Sequence, residues 1–187
     1  DSFQIGTVRG GQSTDATLSL QTNNILPGTY AVHFTVDPFD QVPESDEDNN
    51  IFILPDTLTV VAPQPDLEVI QGSFNPDTVS PGDTITFDAV VTNDGPATAP
   101  ATQVTVSLVE TGQILGTLPV EASIAPPVQI ALPPTALTIP NDLPAGTYTV
   151  RLTVDFDPVQ NDGLIAESNE NNNTLILADL LTVIEEE

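Results

Sequence analysis

Carboxylates crowded beside turns are the side chains of this chain with the most chemistry to offer. Asp37, Asp40 and Glu44 lie in one acidic stretch, and Asp155, Asp157, Asp162 and Glu167 lie in a second. Carboxylate and carbonyl oxygens in flexible loops are the ligand set that hard Ca2+ prefers. The stretch from Asp155-Phe156-Asp157 to Asn161-Asp162-Gly163 has an acidic i, i+2 pair and a late glycine. It lacks the alternating acidic spacing and terminal glutamate of an EF-hand loop, so a Ca2+ site and a solvated acidic hairpin tip both remain open. Acid–base catalysis would need one carboxyl in an apolar pocket, and these all sit in hydrophilic stretches. His33 is the only histidine, and by alternation it points away from the face carrying Tyr30, Val32, Phe34 and Val36. No Ser-His-Asp set, phosphate-binding glycine loop or zinc spacing is present, and the expectation is a protein that is not an enzyme.

Composition narrows the partners. There are 27 Asp and Glu against two basic residues, Arg9 and Arg151, for a formal net charge of −25. Such a chain repels phosphate and excludes nucleic acid as a partner. The acid excess fits solubility in high salt as well as a need for divalent cations. Cysteine is absent, so neither disulfides nor thiolate metal sites contribute. Apolar residues come in short alternating runs and never as 18 in a row, which argues against membrane insertion. Neither a basic nor an apolar leader segment stands at Asp1, so the chain reads as mature or excised material.

The elements that position these carboxylates repeat. Leu26-Pro27-Gly28-Thr29-Tyr30 returns as Leu143-Pro144-Ala145-Gly146-Thr147-Tyr148. Glu44-Ser45-Asp46-Glu47-Asp48-Asn49-Asn50 returns as Glu167-Ser168-Asn169-Glu170-Asn171-Asn172-Asn173, and Leu58-Thr59-Val60 as Leu181-Thr182-Val183. A period of about 120 residues suits one β-sandwich per copy. Period-two alternation and turn residues predict seven strands in the second copy. They begin at Leu67, cover Thr84–Val91, Val104–Leu108, Ile114–Ile124, Ala136–Ile139 and Thr147–Val154, and end with Thr174–Ile184. Tyr30 and Tyr148, each at the start of a strand after a tight corner, are expected to bond back to the preceding backbone as tyrosine corners. The asparagine clusters are expected to tolerate left-handed backbone, and to bond their own backbone through their amides, as they lead into the last strand. Asn172-Asn173-Thr174 also forms a glycosylation sequon.

The fold class is therefore all-β, with tandem immunoglobulin-like or fibronectin-like seven-stranded β-sandwiches, the N-terminal one incomplete. Residues 1–62 read as the rear half of a sandwich, completed by a preceding segment or another subunit. In it, residues 1–12 match the fourth strand and Leu18-Ser19-Leu20 matches Leu137-Thr138-Ile139. Residues 63–66 read as a proline-rich linker and 67–187 as a complete module.

Five motifs in order carry a likeness to a known family. Pro65-Asp66-Leu67-Glu68-Val69, Ser80-Pro81-Gly82-Asp83-Thr84-Ile85-Thr86-Phe87, Val91-Thr92-Asn93-Asp94-Gly95, Gly146-Thr147-Tyr148, and Ile165-Ala166-Glu167-Ser168-Asn169-Glu170-Asn171-Asn172-Asn173-Thr174 resemble the CARDB module, the cell-adhesion-related domain of bacteria and archaea. The likeness covers residues 65–187 whole and the rear half of a second module in 13–61; the proline-rich passage from Leu118 to Pro134 departs from it. It implies a structural or adhesive extracellular module of a surface fibre, filament or tandem-repeat adhesin, which Ca2+ would stiffen if the acidic loops bind it. Partners would be neighbouring copies or flanking modules joined through sheet edges, or a cell-surface glycan or protein. The alternative is a glycan- or protein-binding accessory module of a secreted enzyme, with Phe39 and Phe156 as its best aromatic contacts.

Overall fold

β-branched residues alternating with polar ones, and punctuated by Gly, Pro and Asn turns, leave strand as the favoured local conformation almost everywhere. A computed structural model describes residues 8–22, 24–157 and 162–185, Asp162 by its backbone alone. Among these residues every regular element is a strand, and no helix is long and apolar enough to cross a membrane. The chain divides into two units, Asp1–Ala62 and Pro63–Glu187.

The first unit contains one hairpin, β1 (Gly28–Thr35) and β2 (Ile51–Val60), paired antiparallel with a bulge between Ala31 and His33. Residues 8–22 carry no strand. Leu18-Ser19-Leu20, expected to match the fifth strand, is therefore irregular. Its counterpart in the second unit is held by pairing with a strand that the first unit does not show among its described residues. The match expected for residues 1–12 falls largely on residues 1–7, outside those described.

The second unit is a sandwich. Its strands are β3 (Leu67–Asn75), β4 (Thr78–Val79), β5 (Thr84–Asn93), β6 (Thr102–Leu108), β7 (Ile114–Val120), β8 (Gln129–Ala131), β9 (Thr135–Thr138), β10 (Gly146–Val154), β11 (Phe156–Asp157), β12 (Asp162–Gly163) and β13 (Thr174–Val183). One sheet runs β4-β13-β10-β6-β7; the other runs β3-β5-β8, with β9 also on β5. All pairs are antiparallel except β4 with β13, which is parallel. The expected strands form, and the proline-rich passage adds one the alternation did not indicate, β8.

Alternation places the core as expected. Ile85, Phe87, Ala89 and Val91 of β5 face Val104, Val106 and Leu108 of β6 and Val150, Leu152 and Val154 of β10 in one buried cluster. Between them, Thr105 and Ser107 are also buried. The Arg151 side chain lies over that outer face and donates from Nε to Ser107 Oγ at 3.2 Å. The corner at Asn93-Asp94-Gly95 is equally tight. A Cβ on Gly95 would stand 2.5 Å from both Asp66 N and the Pro65 carbonyl carbon, so the close approach of these backbones needs glycine.

The stretch expected as a linker is bonded into this unit. Pro65 is buried, Asp66 N donates to Asn93 Oδ1 at 3.0 Å, and Asp94 N donates to Asp66 O at 2.8 Å.

Candidate functional site

The site begins where β10 ends. Asp155 takes a left-handed conformation, φ 57°, which short polar side chains accept by bonding nearby backbone. Its Oδ2 accepts from Ile165 N at 2.6 Å and its Oδ1 from Thr102 Oγ1 at 2.8 Å. Asp155 thereby fixes the loop after β12 onto the start of β6, and it is 1% exposed.

That loop carries Glu167, which is 7% exposed. Its carboxylate accepts from Leu67 N, the first residue of β3, and from Asn173 Nδ2 at 3.0 Å. Glu167 N donates to Glu170 Oε1 at 2.8 Å. Ser168 donates from both N, at 2.9 Å, and Oγ, at 3.3 Å, to Pro65 O. Asn172 Nδ2 donates to Asp66 Oδ1 at 2.8 Å, a bond that uses the amide of the sequon. The Glu167–Asn173 loop is a clamp that seizes the module's first strand at Pro65-Asp66-Leu67.

The electrostatics follow from the crowding. Burial pushes the Glu167 carboxyl up from 4.5 to about 7, and the nearby Glu170 and Asp155 carboxylates add to the rise. The hydrogen bonds from Leu67 and Asn173 work against it. Beside the clamp lies a cavity of about 210 Å3, lined by Arg151, Asp155, Phe156, Gly163, Glu170 and Asn173 among others. Asn173 is 7% exposed, and its Oδ1 has no hydrogen-bond partner among the described residues.

Of the residues singled out for a cation, Asp155 and Glu167 are drawn together, with Glu170 beside them. Asp157 is half-buried in β11, and the Asp162 side chain lies outside the described residues. Asp37, Asp40 and Glu44 belong to the first unit. Asp37 accepts from Gln41 N at 3.0 Å and Val42 N at 2.7 Å, while Asp40 and Glu44 are exposed. Among the described residues no group of three or more His, Cys, Asp or Glu is disposed to hold a metal ion.

The tyrosine corners form in both copies. Tyr148 Oη donates to Pro144 O at 2.7 Å and Tyr30 Oη to Leu26 O at 2.6 Å. The asparagine clusters work differently from the expectation. Among the described residues the non-glycine ones with positive φ are Asp37, Asp40 and Asp155, and the Asn172 and Asn173 amides bond the side chains of Asp66 and Glu167 rather than their own backbone. Sequence reasoning also missed Asn93. Fully buried, it accepts from Asp66 N at 3.0 Å and Gly95 N at 3.1 Å, and donates to Ala97 O at 2.7 Å and Ile124 O at 2.8 Å. Its position in a turn motif was the only signal available.

The family model of CARDB matches residues 1–53 and again 64–176. The chain belongs to the CARDB family. The second match falls on the sandwich and the first on the segment holding β1 and the first three residues of β2, and the family is one of cell-surface-associated β-sandwich modules. No curated protein matches this chain. Among solved structures, it is similar to the CARDB domain of the PF1109 protein from Pyrococcus furiosus, whose crystal structure is in complex with di-metal ions. Identity is 24%, with 68% of this chain and 100% of that chain covered and a TM-score of 0.46. The solution structure of the same domain gives 24% identity, 65% and 96% coverage and 0.44. A domain, residues 272–376, of a "putative cell surface protein" from Methanosarcina acetivorans gives 26%, 66% and 96%, and 0.42.

Proposed function

We propose that this CARDB chain is a non-catalytic structural segment of an extracellular surface protein, in which modules extend and cohere through their sheets. The supporting observation is the clamp. The chain enters the second unit at Pro65-Asp66-Leu67 and leaves by β13, and the loop before β13 grips the entering strand through Glu167, Ser168 and Asn172. A load along the polypeptide acts on these bonds first. β4, pairing in parallel with β13, adds Ile184 N to Val79 O at 2.8 Å near the exit. Single-molecule extension of the full chain tests the reading. Ser168→Ala together with Asn172→Ala should lower the unfolding force of the second unit. An unchanged force removes the clamp as its load-bearing part. The rival role, glycan capture, has less support, since Phe39 stands alone in solvent at 80% exposure. Reproducible glycan-array binding abolished by Phe156→Ala would favour it.

A cation has one specific observation in its favour. The cavity beside the clamp gathers the acceptors Asp155, Glu170 and the unpartnered Asn173 Oδ1, all hard oxygen ligands of the kind Ca2+ takes. Asp155, Glu170 and Asn173 would hold it, and its charge would offset the carboxylates crowded around Glu167. Chelation should then lower the melting temperature by several degrees and Glu170→Gln should remove the difference. Restoration by monovalent salt alone would leave only screening of the acidic surface.

A further inference from the structure

We infer that the first unit is a receptor for the front half of another CARDB module: a segment that enters as Pro-Asp-Leu and runs on to a Val-x-Val-x-Leu strand. This rests on the reading of residues 1–62 as a structural half-module. The second unit shows how such a half is filled, because the two copies share four features of local geometry. The Ala31/His33 bulge corresponds to the Thr149/Arg151 bulge. Val42 N to Asp37 Oδ2 corresponds to Ile165 N to Asp155 Oδ2. Glu44 N to Glu47 Oε1 corresponds to Glu167 N to Glu170 Oε1, and Val36 N to Asn50 O corresponds to Val154 N to Asn173 O.

Where the second unit uses this geometry to hold its front half, the first unit has the groups without the occupant. Glu167, Ser168 and Asn172 grip Leu67, Pro65 and Asp66. Their counterparts Glu44, Ser45 and Asn49 are exposed, with no described residue in those places. The edge of β10 from Val150 to Val154 is zipped to β6, whereas no described strand pairs with that edge of β1. The apolar face agrees. Leu152 and Val154 are fully buried, but their counterparts Phe34 and Val36 are 40% and 53% exposed. Leu177 is 7% exposed, whereas its counterpart Leu54 is 36% exposed. This is a sandwich interior shaped for a second sheet, with an edge ready for strand addition.

The contents of the chain identify the occupant. These residues hold two rear halves and one front half, and that front half is folded onto β10 and β13. The occupant is therefore a front half other than the one already folded in the second unit.

Hydrogen exchange on the full chain tests this, with a duplicate of residues 63–127 fused through a flexible linker as the front half. The amides of His33, Thr35 and Asp37, which alternate with the already bonded Val36 N and face the open edge, should slow by ~100-fold when the duplicate is present, as expected when an open edge becomes an internal strand. Asn49→Ala, a change on an exposed loop, should return ~10-fold of that protection, and Asp15→Asn should return none. Equal exchange with and without the duplicate overturns the inference. So does an edge already protected in the unextended chain, which would mean that a second copy or other residues cover it. A chain that bears load under extension but gains no protection would leave the structural reading standing while this inference falls.

Discussion

Glu167→Gln separates a buried charge from a buried hydrogen bond. In the folded module the Glu167 carboxyl is raised to about 7 from the ordinary 4.5, chiefly by burial. The folded form then holds the proton more tightly than the unfolded form does. The stability this contributes is fully present below about pH 4.5 and is lost as pH rises through about 7. The gap between the two values is worth at most about 3 kcal/mol, and water reaching the outer side of the carboxyl brings the expected figure to about 1–3 kcal/mol. Glutamine cannot titrate, yet its carbonyl can still accept from Leu67 N. Its amide meets the Asn173 Nδ2 that donates to Glu167 in the wild type, so the Asn173 amide must turn over to present Oδ1, which has no partner among the described residues. Urea unfolding of both proteins from pH 4.5 to 8 gives the difference curve, in which the general effect of the acidic surface cancels. The wild type should lose about 1–3 kcal/mol relative to the variant over that range, roughly 3–12 °C in melting temperature for a module of this size. Parallel curves would refute a raised Glu167, and with it the picture of three carboxylates crowded at the clamp.

Asn93→Ala strands Asp66 N, Gly95 N, Ala97 O and Ile124 O at once and should cost about 3–5 kcal/mol in urea unfolding. Gly95→Ala drives a methyl into the Pro65–Asp66 backbone and should cost at least about 2 kcal/mol, with faster hydrogen exchange at Leu67 as its local sign. Tyr148→Phe removes the bond to Pro144 O and should cost about 1 kcal/mol. Tyr30→Phe, whose acceptor is exposed, should cost about half as much, read by thermal unfolding of each variant.

The parts of the fold that were legible in the sequence are those set by local rules. Alternation marks β5, β6 and β10 because each turns its apolar residues to the one core, and the tyrosine corner is written within five residues. The repeat exposes the hairpin of the first unit without any structural information. What stayed hidden depends on distant pairing. β8 lies among prolines and is fixed by pairing to Val90–Thr92 of β5. β4 has two residues and exists by leaning on β13. The candidate site was half legible: the acidic loops could be found, but not that Glu167 turns inward to serve a backbone N–H one hundred residues away. Nor could spacing show that Asp155 accepts from Thr102 and Ile165, one bond on each oxygen. Carboxylate density in a sequence does not say whether oxygens face a cation, solvent or the protein's own amides.

The two clamp loops show which of their polar atoms matter. Position by position, Asp46 stands where Asn169 stands and Asp48 where Asn171 stands. Asp46 and Asn169 do the same work through Oδ1, accepting from Asp48 N at 3.1 Å and from Asn171 N at 3.2 Å. An acceptor-only role is indifferent to whether the other atom is oxygen or nitrogen, so acid and amide interchange there. Asn172 and Asn173 instead act as donors through Nδ2, to Asp66 and Glu167, and a carboxylate cannot donate. At those two positions the first loop also carries amides, Asn49 and Asn50. The first loop has thus kept its donors where donation to an entering Pro-Asp-Leu strand and to Glu44 would require them, and has changed only where it would not. Asn49→Asp should therefore weaken capture of a front half as much as Asn49→Ala, while Asp46→Asn should leave it unchanged. Equal tolerance at both positions in the same exchange measurement would break the link between amide donation and capture.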